Sequence, residues 1–100
     1  MQDSTVLELV LFKTKPGREE RIAEIRAGVR EALKTCDGFI GFRSFISVEG
    51  SHVFADLAEW SSHENALSAA RAFNGADPRF QPYMREIKEV IFMGHFSPGE

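Results

Sequence analysis

The sequence predicts an α+β domain of the ferredoxin-like type, in which an antiparallel sheet of order 4-1-3-2 carries both helices on one face. Two observations support this class. Three regions, residues 5–13, 39–60 and 89–96, alternate apolar and other side chains as strands do. Between them, residues 18–35 and 61–74 carry apolar or small residues at helical spacing, which gives the order β-α-β-β-α-β. We expect a single domain over residues 1–100 with an ordered core of about 5–96.

The first strand is predicted over residues 5–13, followed by a break at Lys15-Pro16-Gly17. One of its faces is purely apolar, and the other holds one charge, Glu8, among apolar residues that include Phe12. The helix of residues 18–35 is amphipathic, and its apolar stripe consists of Ile22, Ile25, Val29 and Leu33. Gly28 inside this helix costs roughly 1 kcal/mol relative to alanine, which predicts a close approach of the helix to the sheet there.

The central hairpin is predicted to turn at Glu49-Gly50, because glycine supplies the positive φ that a tight turn needs. A two-residue loop then determines the pairing of the two strands. The predicted pairs are Arg43 with Asp56, Phe45 with Phe54, and Phe39 with Trp60. Opposed residues share a face, so one face of the hairpin is aromatic with an arginine and an aspartate, and the other is almost purely apolar.

The second helix is predicted to begin with a capping box formed by Ser61 and Glu64 and to stop at Asn74-Gly75. Pro78 then opens a short helical turn that carries Tyr83. In the last strand, residues 89–96, Met93 and His95 share one face and Phe92 shares the other with Val90.

Composition limits the classes of partner. A chain of 100 residues with a formal net charge of −3 lacks the basic surface expected for nucleic-acid binding or for a membrane anchor. No long apolar run predicts a membrane span, and a single cysteine, Cys36, excludes an internal disulfide. The three histidines lack metal-ligand spacing, so we expect no metal site. The pattern favours a cytoplasmic protein.

The purely apolar sheet face is predicted to lie under the helices, because it has no charges to desolvate. Its members are Leu7, Leu9, Leu11, Ile40, Phe42, Val53, Leu57, Val90 and Phe92. The opposite face then leaves a large aromatic surface in water, which monomeric proteins rarely expose. We therefore expect a homodimer that packs sheet against sheet and buries Phe45 and Phe54 at its interface.

Four stretches together resemble the dimeric α+β barrel superfamily. They are LFKTKPGREE, DGFIGF, EWSSHENA and DPRFQPYM, in this order and spacing. The resemblance runs from about Val6 to Phe96 and is strongest to the antibiotic biosynthesis monooxygenase-like proteins, with the stress-responsive A/B barrel proteins less similar. It implies a barrel cavity, no bound cofactor, and a short segment around Tyr83 that in relatives often helps to close the pocket.

Four polar residues on the mixed face are the candidate catalytic groups. Structurally, Arg43 and Asp56 would form a cross-strand ion pair, with Glu8 near a rim and His95 at a strand end. Chemically, His95 would accept a proton from a phenol or enol, oriented by Asp56 or Glu8, while Arg43 stabilises the oxyanion. The candidate substrate-binding residues are Glu8, Phe12, Phe45, Phe54, Trp60, Tyr83 and Met93.

Three functions remain open at this point. The first is a cofactor-independent monooxygenase for a small aromatic or enolic metabolite, quinol-like or polyketide-like, with a polyketide cyclase or isomerase as a related chemistry. The second is a non-catalytic small-molecule-binding or stress-responsive barrel protein. The third is an interaction protein whose barrel is filled by its own side chains. A cavity of about 300 Å³ or more, with Arg43 and His95 on its wall, would favour the first two.

Overall fold

The computed structural model describes residues 5–17, 19–49 and 52–98. Strand β1 spans Val6–Thr14, a 3-10 turn spans Glu19–Arg21 and helix α1 spans Ile22–Leu33. Strands β2 (Phe39–Ile46) and β3 (Phe54–Trp60) follow, then helix α2 (His63–Asn74). A second 3-10 turn (Pro78–Phe80) leads into helix α3 (Gln81–Glu86) and strand β4 (Ile87–Phe96). Residues Arg18 and Gly50, which the sequence assigns to a helix start and a turn, lie outside the described residues.

The four strands form one antiparallel sheet in the order β2-β3-β1-β4, which confirms the predicted fold class and strand order. The helices cover one face of it. The buried stripe of α1 is the predicted set of four residues, and α2 adds Ala66 and Ala69. Tyr83 of α3 and Phe80 just before it complete this layer.

The prediction of which sheet face lies under the helices was wrong. The buried residues of β1 and β3 are those of the mixed face, with Phe12 and Trp60 fully buried and Phe54 2% exposed. Phe12 and Phe54 stack on each other at 5.6 Å between ring centroids. Large aromatic rings fill the space between a sheet and its helices better than a row of leucines, and the charges on this face are paired there. Of the face predicted to be covered, Phe42 alone packs against this core.

The predicted hairpin register was also wrong by one residue. Arg43 lies opposite Leu57, Ser44 opposite Asp56, and Phe45 opposite Ala55. The backbone N–H of Ser47 donates to the carbonyl of Val53, which differs from the predicted turn, in which Val48 faces Ser51. An irregularity between Phe39 and Gly41 restores the predicted pairing of Phe39 with Trp60.

Two local predictions on the helices need correction. Gly28 is exposed on α1, and a Cβ built on it would meet nothing within 4 Å, so the helix does not approach the sheet there. The N-cap of α2 is Ser62, whose hydroxyl accepts a hydrogen bond from the Asn65 amide. Ser61 instead bonds the Asn65 side chain. None of the described helices is long and apolar enough to cross a membrane.

The face of the sheet away from the helices, here called the outer face, is apolar and open. The ladders place Leu7, Leu9 and Leu11 of β1 on it, between residues of β3 and β4. Phe45 is 43% exposed, and Phe92 and Phe96 are similarly exposed. Arg43 lies on this face with its guanidinium over the Phe45 ring, 5.1 Å from the centroid.

Candidate functional site

A small cavity, here called the inner cavity, lies between the sheet and the helices. Its volume is about 50 Å³, which is room for a few water molecules. Its wall is mostly apolar, with three polar side chains from three elements: Glu8 of β1, Asp56 of β3 and Tyr83 of α3. The other lining residues are Val10, Val29, Leu33, Phe42, Ala58, Ala69, Phe73, Phe80 and Met93.

One side of the cavity holds a buried triad of Asp56, Arg26 and Tyr83. Arg26 reaches in from α1, and its Nη2 lies 2.7 Å from Asp56 Oδ1. The Tyr83 hydroxyl donates a hydrogen bond to Asp56 Oδ2. The Arg26 guanidinium also lies over the rings of Phe12 and Phe54, 5.8 and 5.1 Å from their centroids. The triad therefore ties α1 and α3 to the centre of the sheet.

The other side holds Glu8, which has one hydrogen bond and one contact with a histidine. Trp60 Nε1 donates to Glu8 Oε1 over 3.3 Å, and His95 Nε2 lies 3.3 Å from Glu8 Oε2. His95 comes from β4, where the ladder places it directly beside Glu8. Its ring also contacts His63 at the start of α2, with 5.4 Å between centroids. Glu8 therefore lines the cavity, and His95 contacts Glu8 without lining the cavity itself.

Burial governs the protonation of these groups. Desolvation raises the pKa of Glu8 above its usual 4.5, against the opposing effects of His95 and Trp60. Desolvation likewise raises the pKa of Asp56 above 3.8, with Tyr83 and Arg26 acting in the opposite direction. The pKa of Tyr83 is raised well above 10 by burial and by the neighbouring Asp56 carboxylate, so its hydroxyl remains a donor.

The structure brings together some of the predicted site residues and separates others. Glu8, Asp56, Tyr83 and Met93 line the inner cavity, and His95 is one contact away. Phe12, Phe54 and Trp60 belong to the packed core rather than to the cavity wall.

Arg43 and Phe45 lie on the outer face, because β2 pairs with β3 one residue away from the predicted register. Arg43 therefore neither pairs with Asp56 nor lines a cavity with His95, as the sequence predicted. Phe54 is not available for the predicted dimer interface either, since it is buried inside the subunit.

Arg26 is the residue of this site that sequence reasoning missed. It takes the place expected of Arg43, because it is the cation that neutralises Asp56. The sequence contains evidence that Arg26 points inward. Arg26 follows Ile22 by four residues and precedes Val29 by three, so it lies on the buried stripe of the helix. A charged residue on an apolar stripe indicates a buried counter-charge, which Asp56 supplies.

Among the described residues, no group of three histidine, cysteine, aspartate or glutamate side chains could hold a metal ion. The chemistry that the cavity's own residues offer is proton transfer. A carboxylate with a raised pKa, Glu8, can accept a proton in an apolar space. The Tyr83 hydroxyl, which donates to Asp56 here, can donate to an oxygen of a bound molecule only when it leaves Asp56.

The fold and this site define a ferredoxin-like α+β protein with an acid–base cavity between sheet and helices. The family model for antibiotic biosynthesis monooxygenases matches residues 5–78, about three quarters of the chain. The chain belongs to this family, which confirms the resemblance found in the sequence. No curated protein matches the chain.

Solved structures of the same fold are numerous. A protein of Bordetella bronchiseptica assigned as an antibiotic biosynthesis monooxygenase superposes with a TM-score of 0.82 at 16% identity, over 97% of this chain and 99% of that one. A protein of Chloroflexus aurantiacus with the same assignment has a TM-score of 0.72 at 11% identity, over 97% and 95%. Rv0793 of Mycobacterium tuberculosis has 0.71 at 14%, over 97% of each chain. At these identities the likeness establishes the fold alone.

Proposed function

We propose that this protein is a cofactor-independent monooxygenase that acts on a small aromatic or enolic metabolite bound between the sheet and the helices. The observation that supports it is the inner cavity itself: an apolar space with the buried carboxylate of Glu8 and the Tyr83 hydroxyl on its wall. Family membership points to the same chemistry.

In this reaction Glu8 accepts a proton from the substrate, and Tyr83 stabilises the developing phenolate or enolate by a hydrogen bond. The resulting electron-rich carbon reacts with dioxygen. A methylene group becomes a carbonyl, one oxygen atom enters the substrate, and the other leaves as water with the two hydrogens lost from that carbon. The four electrons that reduce dioxygen come from the substrate, so no cofactor is required.

His95 acts in this scheme through Glu8. It lies 3.3 Å from the carboxylate and opposes the rise in the Glu8 pKa that burial causes. This role differs from the sequence-based hypothesis, in which His95 itself was the proton acceptor. We treat it as a positioning residue, since Glu8 lies between it and the cavity.

A second function, that of an interaction protein whose barrel is filled by its own side chains, is favoured by one observation. The inner cavity of about 50 Å³ is far smaller than the roughly 300 Å³ at which ordinary small-molecule sites begin. A protein whose core is filled by its own rings would have such a cavity. A cyclase or isomerase would use the same Glu8 base without consuming dioxygen.

We also propose that the outer face is covered by a second copy of the chain. Its leucine and phenylalanine side chains form an apolar surface of a kind that soluble monomers rarely leave in water. Phe45 remains a residue of this proposed interface. A cytoplasmic location remains a proposal that follows from composition alone.

The test is oxidation of an anthrone or a quinol, followed by dioxygen uptake and product formation. We expect wild type to consume one dioxygen per product, and Glu8→Gln to lose 10²–10⁴-fold in kcat, the usual contribution of a general base. Glu89→Gln, an exposed glutamate on β4, is the matched control and should keep wild-type activity.

Further arms separate the alternatives. His95→Ala should move the acid limb of the kcat/KM profile to higher pH, because it removes a group that lowers the Glu8 pKa. Product formation without dioxygen uptake would indicate an isomerase or cyclase. A loss of less than about tenfold in Glu8→Gln would show that Glu8 is not the base.

A further inference from the structure

A second space, here called the outer groove, lies on the solvent side of the inner cavity between α1 and α3. Its volume is about 230 Å³. Its lining residues are Arg21, Glu24, Ile25, Gly28, Val29, Arg79, Pro82 and Tyr83. Two of these, Val29 and Tyr83, also line the inner cavity. The two spaces therefore share Val29 and Tyr83 as part of their walls.

Gly28 lies in the floor of this groove, in the interior of α1. Glycine is unfavourable there relative to alanine, and no contact with another element explains its presence, since a Cβ would meet nothing within 4 Å. A larger side chain at this position would occupy the groove. The absence of a side chain at Gly28 keeps the space beside Tyr83 open.

We propose that the outer groove is the entrance and outer part of the substrate site, and that the substrate passes between α1 and α3 beside Gly28. This inference rests on the proposed function and extends it. The inner cavity alone is too small for an aromatic ring system. The two volumes joined approach the lower end of ordinary ligand sites, about 300 Å³.

Joining the two spaces requires the Tyr83 side chain to turn aside. Its hydroxyl then leaves Asp56 and becomes available to an oxygen of the incoming molecule. Asp56 keeps its ion pair with Arg26 at 2.7 Å, so the carboxylate retains a partner when Tyr83 moves. The site therefore exchanges one hydrogen bond for another as the ligand enters.

The rim of the groove indicates the charge of the ligand. Arg21 lies 3.7 Å from Glu86, and Arg79 is bonded to Asp77 through its Nε and Nη2. Glu24 adds a further negative charge beside these pairs. Since the arginines on this rim already face carboxylates, the groove does not select an anion. It fits a neutral phenol or enol, which is the protonation state that Glu8 requires of its substrate.

The experiment measures the association rate of 2-naphthol, a neutral phenol, by stopped-flow fluorescence. Trp60 is the single tryptophan of the chain, and it bonds Glu8, so it reports on the inner cavity. We expect Gly28→Phe to reduce the association rate constant at least tenfold, because the added ring occupies the groove. Ala23→Phe, which adds the same ring at an exposed position of α1 outside the groove, is the matched control.

The outcomes distinguish this proposal from the proposed function. An unchanged association rate in Gly28→Phe, with circular dichroism as in wild type, would overturn the entrance even if anthrone oxidation is normal. Slowed association in Gly28→Phe with no oxidation of any anthrone or quinol would support the entrance and count against the monooxygenase. Failure of wild type to bind 2-naphthol would overturn the entrance, because the route must admit this class of compound.

Discussion

Two buried carboxylates, Glu8 and Asp56, lie on neighbouring strands under the helices and have unlike partners. Asp56 faces a permanent cation, Arg26, within 2.7 Å. Glu8 faces a neutral donor, Trp60, and a histidine whose charge depends on pH. A buried carboxylate is costly when ionised unless it is paired, so Glu8 is the less compensated of the two. It is therefore the better proton acceptor.

This difference predicts a pH dependence of stability. The folded-state pKa of Glu8 lies above its unfolded value of 4.5, so its contribution to the free energy of unfolding is full below pH 4.5. It is lost as pH rises through the folded-state pKa, because the buried group must then carry a charge. We expect the unfolding free energy of wild type to fall relative to that of Glu8→Gln as pH rises from 4.5, measured by urea denaturation.

The control for this measurement is Glu89→Gln, since Glu89 is exposed on β4. Its difference from wild type should stay nearly constant over the same pH range. A difference between wild type and Glu8→Gln that does not change with pH would contradict the prediction. The comparison is repeated in a His95→Ala background, because His95 contacts the Glu8 carboxylate.

At the scale of elements, the second helix shows how a cap is decided by geometry. Two adjacent serines precede α2, and either could have capped it. Ser62 has extended backbone angles, φ −156° and ψ 161°, and its hydroxyl accepts from the Asn65 backbone amide at 3.1 Å. The Ser61 hydroxyl accepts from the Asn65 side chain instead, at an exposed position.

Replacing the cap should therefore destabilise the protein, and replacing its neighbour should not. We expect Ser62→Ala to lower the free energy of unfolding by about 1 kcal/mol, because it leaves a helix N–H without its acceptor. Ser61→Ala, the matched control, should change it by less than about 0.5 kcal/mol. Equal effects of the two substitutions in chemical denaturation would show that the capping hydroxyl is not that of Ser62.

At the scale of the whole molecule, the sheet has one face closed by its own helices and one open face. The covered face holds the aromatic rings and the paired charges, and the outer face holds mostly leucine and phenylalanine side chains. In the dimer proposed above, a second copy of the chain would cover this face with an apolar surface of the same kind.

This arrangement predicts that a charge at the centre of the outer face separates the subunits. Leu9 lies in the middle of β1, opposite Leu57 on one side and Gly94 on the other. We expect Leu9→Asp to elute as a monomer in size exclusion with multi-angle light scattering while keeping its circular dichroism. Leu67→Asp is the control, because Leu67 is exposed on α2, on the helix side of the sheet. A dimeric Leu9→Asp, or a monomeric wild type, would contradict the arrangement.

The sequence by itself determined the order of elements, the sheet topology and the family. Those properties follow from local patterns: alternation in strands, the spacing of Ile22, Ile25, Val29 and Leu33 in a helix, and turn residues between them. It also indicated Glu8, Asp56 and His95 as candidate catalytic groups, since charged or polar residues among apolar ones in a strand are exceptional. Tyr83 was indicated by the family resemblance.

Only the tertiary structure decided which sheet face the helices cover and which cation meets Asp56. Alternation shows that a strand has two unlike faces, but it does not show which face is buried. That depends on the side chains of the helix that packs against the strand. Here α1 contributes Arg26, whose ion pair with Asp56 compensates the cost of burying that carboxylate under the helices. The register of β2 depends likewise on the length of the loop between Ser47 and Val53, and a shift of one residue moves Arg43 to the opposite side of the sheet.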